Sequence, residues 1–391
     1  MARLVGCKAL TLGFLGAIAG LSAQADPLMI VGLDQKITFD HDGKPVMSLP
    51  GKDSVVIVDL ANPEEPKIVV SLPLKNSLIG PPVNLAITPN GAVALVADSV
   101  DVVKEGETLK QVPDNKLHVI DMRANPPKLA GTVSTGKQPS GLDISPDGKT
   151  ALVAHRADNS IGVFSIDGTD VKLVDTVAMG DVVAHVAFTS DGKRAVAVKF
   201  SAHKLSLLEV GENAKVTYNK VDLPTGLWPI NVAVSPDAKI ALTADLGAAT
   251  TSDGSVDTIS VVDLEAKPPR IIDRVVVGDG PEGLAISPKG DVAVAVILRG
   301  SGGSKQAFFY HKNGTINVLK IDGKRVTNIK EIEVGGLPEG AVFTPDGRYL
   351  LVGNYLDQDF SILRVNGIDI VDTGKRFKVP GHPASARMSA R

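Results

Sequence analysis

Seven residues, Asn84, Ser140, His185, Asn231, Glu282, Glu339 and Ser385, stand four or five places ahead of a turn motif or of the place where its next copy would fall. A histidine beside a carboxylate is the pairing that takes a proton from water. His185 with Glu282 or Glu339 therefore has the makings of a general base and its orienting acid, aimed at a lactone or ester carbonyl. A second set stands ten places after each turn marker: Asp98, His155, Lys199, Asp245, Ile297 and Asn354. Asn84, Asp98, Asn231 and Asp245 offer oxygen donors of the kind a divalent cation takes as a Lewis acid. The spacing spells no compact ligand cluster, and no other cofactor is evident. Asn84, Asp98, His155, Asn231, Asp245 and Asn354 make the expected ligand-binding shell. Trp228 and His382 join it, each preceding a proline that opens a strand. Polar residues at strand ends also satisfy loop backbone and line watery channels, so a purely structural role stands beside the functional one.

What must position these residues is a repeated hairpin. The turns are Thr88-Pro89-Asn90-Gly91, Ser145-Pro146-Asp147-Gly148, Thr189-Ser190-Asp191-Gly192, Ser235-Pro236-Asp237-Ala238, Ser287-Pro288-Lys289-Gly290 and Thr344-Pro345-Asp346-Gly347. Proline presets φ, Asp or Asn bonds the local backbone, and glycine accepts positive φ. Alternating apolar runs precede and follow each turn, and two further β-branched runs close each unit. Four short antiparallel strands per unit describe a propeller blade.

The chain ends set the blade count. The segment 383–389 repeats the proline-led spacing of a first strand, but no turn follows it. Residues 29–31, 55–60 and 68–72 read as strands two, three and four of a unit that lacks strand one. The expected fold is all-β: a seven-bladed β-propeller of four-stranded antiparallel blades, its ring closed by a blade shared between the two termini.

Composition narrows the function classes. Arg3 and Lys8, the apolar run 9–21 and Ala23-Gln24-Ala25 have the order of a secretory signal peptide over residues 1–25. The propeller is expected over 26–391, periplasmic or secreted once the signal is removed near Ala25, with no membrane span in the mature chain. The single cysteine, Cys7, leaves with the signal. Net charge moves from −3 to −5 with loss of Arg3 and Lys8, and aromatics are 4% of the chain. Both argue against nucleic acid as a partner.

The stretch Pro139-Ser140-Gly141-Leu142-Asp143-Ile144-Ser145-Pro146-Asp147-Gly148-Lys149, followed by Ala151-Leu152-Val153-Ala154, resembles the YVTN-type repeat of bacterial β-propellers. Leu351-Val352-Gly353-Asn354 is nearest to the namesake tetrapeptide. The resemblance covers nearly all of the mature chain. It implies the propeller fold and a group that includes exported binding proteins and lactonase-like seven-bladed hydrolases.

In such a blade the uniform turns share one face of the disc, while connections from strand two to three and from blade to blade share the other. Function gathers on variable loops. Insertions at 99–114, 247–257 and 298–314 enlarge that second face. The last carries Phe308-Phe309-Tyr310, a candidate knob for docking a protein partner. Asp143 and Arg387 stand where other first strands carry Ala or Val, and are expected to neutralise each other near the axis. The leading expectation is a binding or scaffold protein that holds a protein partner or small polar ligand on the insertion-bearing face. The alternative is a lactonase-like hydrolase at the channel mouth.

Overall fold

The computed structural model describes Met1 and residues 27–40, 42–76, 82–249 and 252–389. The proposed signal segment, Cys7 included, lies outside the described residues. Seven four-stranded antiparallel sheets are arranged as a β-propeller. Blade 1 comprises Leu85–Ile87, Val93–Glu105, Thr108–Asp121 and Lys128–Ser134, and blade 2 Pro139–Ile144, Thr150–His155, Ser160–Asp167 and Asp170–Ala178. Blade 3 runs Val183–Phe188, Arg194–Lys199, Lys204–Val210 and Val216–Pro224; blade 4 runs Pro229–Val234, Ile240–Asp245, Asp257–Asp263 and Arg270–Val277. Blade 5 holds Pro281–Ile286, Val292–Ile297, Thr315–Asp322 and Arg325–Glu333. Blade 6 holds Pro338–Phe343, Tyr349–Asn354, Asp359–Asn366 and Asp369–Lys378.

Blade 7 is the shared one. His382–Met388 pairs with Leu28–Asp34, matching Met29 to Met388 and Val31 to Ala386, and Ser54–Asp59 and Lys67–Leu72 complete the sheet. The last strand thus takes the axial position of a blade begun at the other end of the chain, and Leu28–Asp34 is paired on both sides.

All six turns close by the same bond: the backbone N–H of the fourth residue donates to the carbonyl of the Ser or Thr marker, at 2.8–2.9 Å. The marker hydroxyl then donates to the Asp two places on, at 2.6 Å from Ser145 to Asp147 and from Thr344 to Asp346. In blade 5, where Lys289 replaces that Asp, Ser287 reaches Asp291 instead, at 2.7 Å. The fourth residue sits at positive φ in every copy, including the one non-glycine, Ala238, at 57°.

Second strands are the most deeply buried segments; every residue of Thr150–His155, Ile240–Asp245 and Val292–Ile297 is buried. Their Val, Ala and Leu side chains pack between neighbouring blades, as where Val196 and Val198 of blade 3 share a cluster with Ile240 and Leu242 of blade 4. The first strands crowd the axis. A Cβ added at Gly283 of blade 5 would lie 2.1 Å from the Glu339 carbonyl oxygen of blade 6. Only glycine lets these two inner backbones approach so closely.

The variable face carries a fourth insertion beyond the three expected. In blade 7 the strands Ile37–Phe39 and Pro45–Met47 form a small hairpin. It packs on Val100, Val102 and Leu109 of an extended blade-1 ribbon, and the Asp42 carbonyl accepts a bond from Lys305 N in the blade-5 insertion. Residues 298–314 contain no strand and are built from turns, with Phe308 set edge-on to Phe309.

The turn geometry predicts opposite signs for two substitutions. Ala238→Gly relieves a left-handed alanine and raises stability by about 0.5–1 kcal/mol, whereas Gly148→Ala lowers it by about 1 kcal/mol. Denaturant melts of the two variants check this.

Candidate functional site

The set at the ends of the second strands acts mainly as a row of clasps. Those at His155, Asp245 and Asn354 tie strand two to strand three and to the loop entering the blade, while Lys199 reaches strand four. His155 Nε2 accepts from Gly136 N at 3.2 Å, and its Nδ1 lies 3.2 Å from Ser160 Oγ. Burial pushes its pKa down to about 4. Asp245 accepts from Ser260 Oγ, Thr243 Oγ1, Thr258 Oγ1 and Gly226 N, at 2.6–3.1 Å. Burial still raises its pKa to about 6. Asn354 Oδ1 accepts from Gly335 N at 2.8 Å while its amide donates to Asp359 and Ser361. Lys199 donates to Tyr218 and Asp222. Where apolar Ile297 holds the position, Asn317 takes over and accepts from Gly278 N at 3.0 Å.

Asp98 breaks the pattern. It is fully buried, and among the described residues neither carboxylate oxygen has a hydrogen-bond partner. Burial, then the nearby Asp114 carboxylate, raise its pKa to about 7 against the pull of Lys36, Lys75 and Lys116.

The ring at the strand-one entrance joins one blade to the next. His185 Nδ1 accepts from Val232 N of blade 4 at 3.2 Å, and Asn231 Nδ2 donates to the Glu282 carbonyl of blade 5 at 3.1 Å. That bond leaves the His185 proton on Nε2, which is buried without a partner. Burial and the positive charge of Arg387 hold the imidazole well below its usual pKa. No hydrogen bond joins His185 to Glu282 or Glu339 among the described residues. Asn84 Oδ1, Ser140 Oγ, Asn231 Oδ1 and Ser385 Oγ are likewise buried and unpartnered. Five polar atoms of this ring thus lack a protein partner among the described residues, and each costs free energy unless water or a ligand meets it.

Glu282 and Glu339 complete the ring. Burial raises Glu282 to about 7, with the opposing charge of Arg156 as its counterweight. Glu339 lies well above the carboxylate range, from burial and from the charges of Glu282 and Asp34. Arg156, absent from the sequence candidates, follows His155 and crosses the face of Phe200 at 4.9 Å. It feels Glu282 without closing an ion pair, and its Nη1 is buried and unpartnered. Trp228 packs on Phe200 at 5.0 Å and on His203 at 4.8 Å, so it supports the wall that holds Arg156. His382 stacks on Tyr355 at 4.7 Å and donates Nδ1–H to its carbonyl.

The sequence reading also missed a buried charge group in the blade-7 insertion. Fully buried Lys36 donates to Asp53 Oδ2 at 2.5 Å and to the Asn76 carbonyl at 3.0 Å, with Asp34 at 3.7 Å. Its location in an insertion gave no repeat to compare it with. Asn84, Asn231 and Asp245 are engaged separately, and Asp98 stands without a hydrogen-bond partner among the described residues. Among the described residues, no group of three or more His, Cys, Asp or Glu side chains is placed to hold a metal.

Residues 114–228 match the family described as Lactonase, 7-bladed beta-propeller. The fold is that of a lactonase-like seven-bladed β-propeller. A functionally unknown protein of Desulfotomaculum acetoxidans superposes on this propeller with TM-score 0.68 at 14% identity, covering 93% of this chain and 99% of the other. A Bacteroides uniformis protein described as a 6-phosphogluconolactonase candidate gives 0.67 at 17%, covering 93% and 100%. The periplasmic gluconolactonase PpgL of Pseudomonas aeruginosa gives 0.65 at 16%, covering 93% and 99%. No curated protein matches the propeller's sequence. No helix among the described residues is long and apolar enough to cross a membrane.

Asp98 supplies a pH test. Its folded pKa, about 7, exceeds the unfolded 3.8, so the folded state holds the proton more tightly. Its stabilising share is full below pH 3.8 and is lost as pH rises through 7. Unfolding midpoints from pH 4 to 8 should fall for the wild type relative to Asp98→Asn, by roughly 3–4 kcal/mol in total.

Proposed function

We propose that the protein hydrolyses a lactone at the variable-face mouth of its channel, with Glu282 as general base. The observation that carries this reading is the pairing of a carboxyl of pKa about 7 with an arginine that balances its charge yet keeps a free N–H. Near neutral pH about half of Glu282 is ionised and able to take a proton from water. The water oxygen bonds to the lactone carbonyl carbon while its proton passes to Glu282. Arg156 Nη1–H meets the charge that develops on the carbonyl oxygen. Collapse breaks the ring C–O bond, and the leaving alkoxide takes its proton from Glu339, which burial keeps protonated. The product is a hydroxy acid, and the proton held by Glu282 passes through water to Glu339, which restores both carboxyls.

His185, with its acceptor nitrogen bonded to Val232 N, serves this reading as a neutral Nε2–H donor in the ring. Asn84, Ser140, Asn231 and Ser385 offer the remaining polar contacts for substrate hydroxyls or water. The partial family match and the fold shared with a named gluconolactonase support the choice of lactone. The signal-like order of residues 1–25 and the fold shared with a periplasmic gluconolactonase support a reaction outside the cytoplasm. A second reading, docking of a protein partner, is favoured by Phe308, which is 88% exposed, and by Val256, 71% exposed.

A panel of aldonolactones assayed from pH 5 to 9 tests the reaction. Activity should rise through about pH 7 as Glu282 ionises, and Glu282→Gln should lower kcat by roughly 10²–10⁴-fold. Full turnover by Glu282→Gln, or no turnover of any lactone by the wild type, would sink the proposal.

A further inference from the structure

We propose that the opposite end of the channel, at the turn-bearing face, is a second ligand site that takes a small carboxylate with a short apolar chain. A cavity of about 360 Å³ opens there, at the small end of ligand pocket sizes, roughly 300–1,000 Å³. Its wall is the last residue of six first strands, Ile87, Phe188, Val234, Ile286, Phe343 and Met388. The first five stand immediately before a turn, and all six side chains are β-branched, aromatic or thioether. One place deeper, small Ala86, Ala187, Ala233 and Ala285 keep the lumen open.

Among the described residues, two charged side chains line this cavity, Asp143 and Arg387. Their hydrogen-bonding states are unequal. Asp143 Oδ2 accepts from Phe188 N at 2.9 Å, and Ile144 N–H also serves that carboxylate. Arg387 feels the Asp143 charge, but among the described residues its guanidinium makes neither a hydrogen bond nor an ion pair. Five donors are therefore unspent in a chamber whose other lining side chains, Asp143 and Ser287 apart, are apolar. A guanidinium in that condition matches a carboxylate in bidentate geometry, and the ring of six supplies contact for the carbon chain behind it. A cationic ligand has less to gain, because Asp143 is already held by two backbone donors. The expected mutual neutralisation of Asp143 and Arg387 is thus electrostatic, and it leaves the arginine free to bind.

Calorimetric titration of the mature chain with hexanoate and with hexanamide tests this site. Hexanoate should bind at least tenfold more tightly than hexanamide, and Arg387→Met should remove that preference. Ala187→Leu, which fills the lumen without touching either charge, should block hexanoate as well and guards against misfolding of the arginine variant. Equal binding of acid and amide overturns the proposal, as does no binding of hexanoate at 10 mM, a concentration of ~10⁻² M that weak sites reach. Binding that survives Arg387→Met and is lost in Arg156→Met belongs to the other mouth and overturns it equally.

Discussion

Seven first strands converge on one axis, and everything distinctive about this molecule follows from how they avoid one another. Where two inner backbones approach most closely, as at Gly283 beside Glu339, the side chain is dispensed with. Where they stand slightly apart, a polar side chain bridges the gap, as His185 does to Val232 N and Asn231 to the Glu282 carbonyl. Each bridge uses one end of a bifunctional side chain and leaves the other without a hydrogen-bond partner among the described residues. A ring of unsatisfied polar atoms is therefore a by-product of closing the toroid.

Lost solvation and crowded charge act on the carboxyls of that ring. Glu282, Glu339 and Asp34 all hold their protons above the ordinary range, Glu339 in part because of the charges of the other two. Arg156 restrains Glu282 the most, which separates two neighbouring glutamates into one that titrates near neutrality and one that stays protonated. The same axis carries a different chemistry at its far end. There the residues next to the turns are large and apolar, and a lone arginine is set against a carboxylate already occupied by backbone donors.

Much of the scaffold was legible. Six copies of one turn declared the blade, and a first strand without a turn at the C-terminus declared the closure, because local backbone chemistry writes directly into residue type. The candidate site was legible only as positions. His155, Asp245 and Asn354 were visible as polar residues at strand ends, but their role as clasps needed the bonds to Gly136, Gly226 and Gly335. Arg156 escaped because its position follows the compared one and varies freely between repeats. Lys36 escaped because its hairpin, Ile37–Phe39 with Pro45–Met47, has no counterpart in the other blades.

The amino-acid order by itself determined the repeat, the blade count and which side chains stand at each end of the channel. Those are consequences of φ preferences and period-two alternation, both local. Which of those side chains are spent on backbone and which remain free, and whether a carboxyl holds its proton at neutral pH, was decided only when distant blades came together. A hydrogen bond to a neighbouring strand and the loss of water around a charge are properties of an enclosure, and no stretch of chain encloses itself.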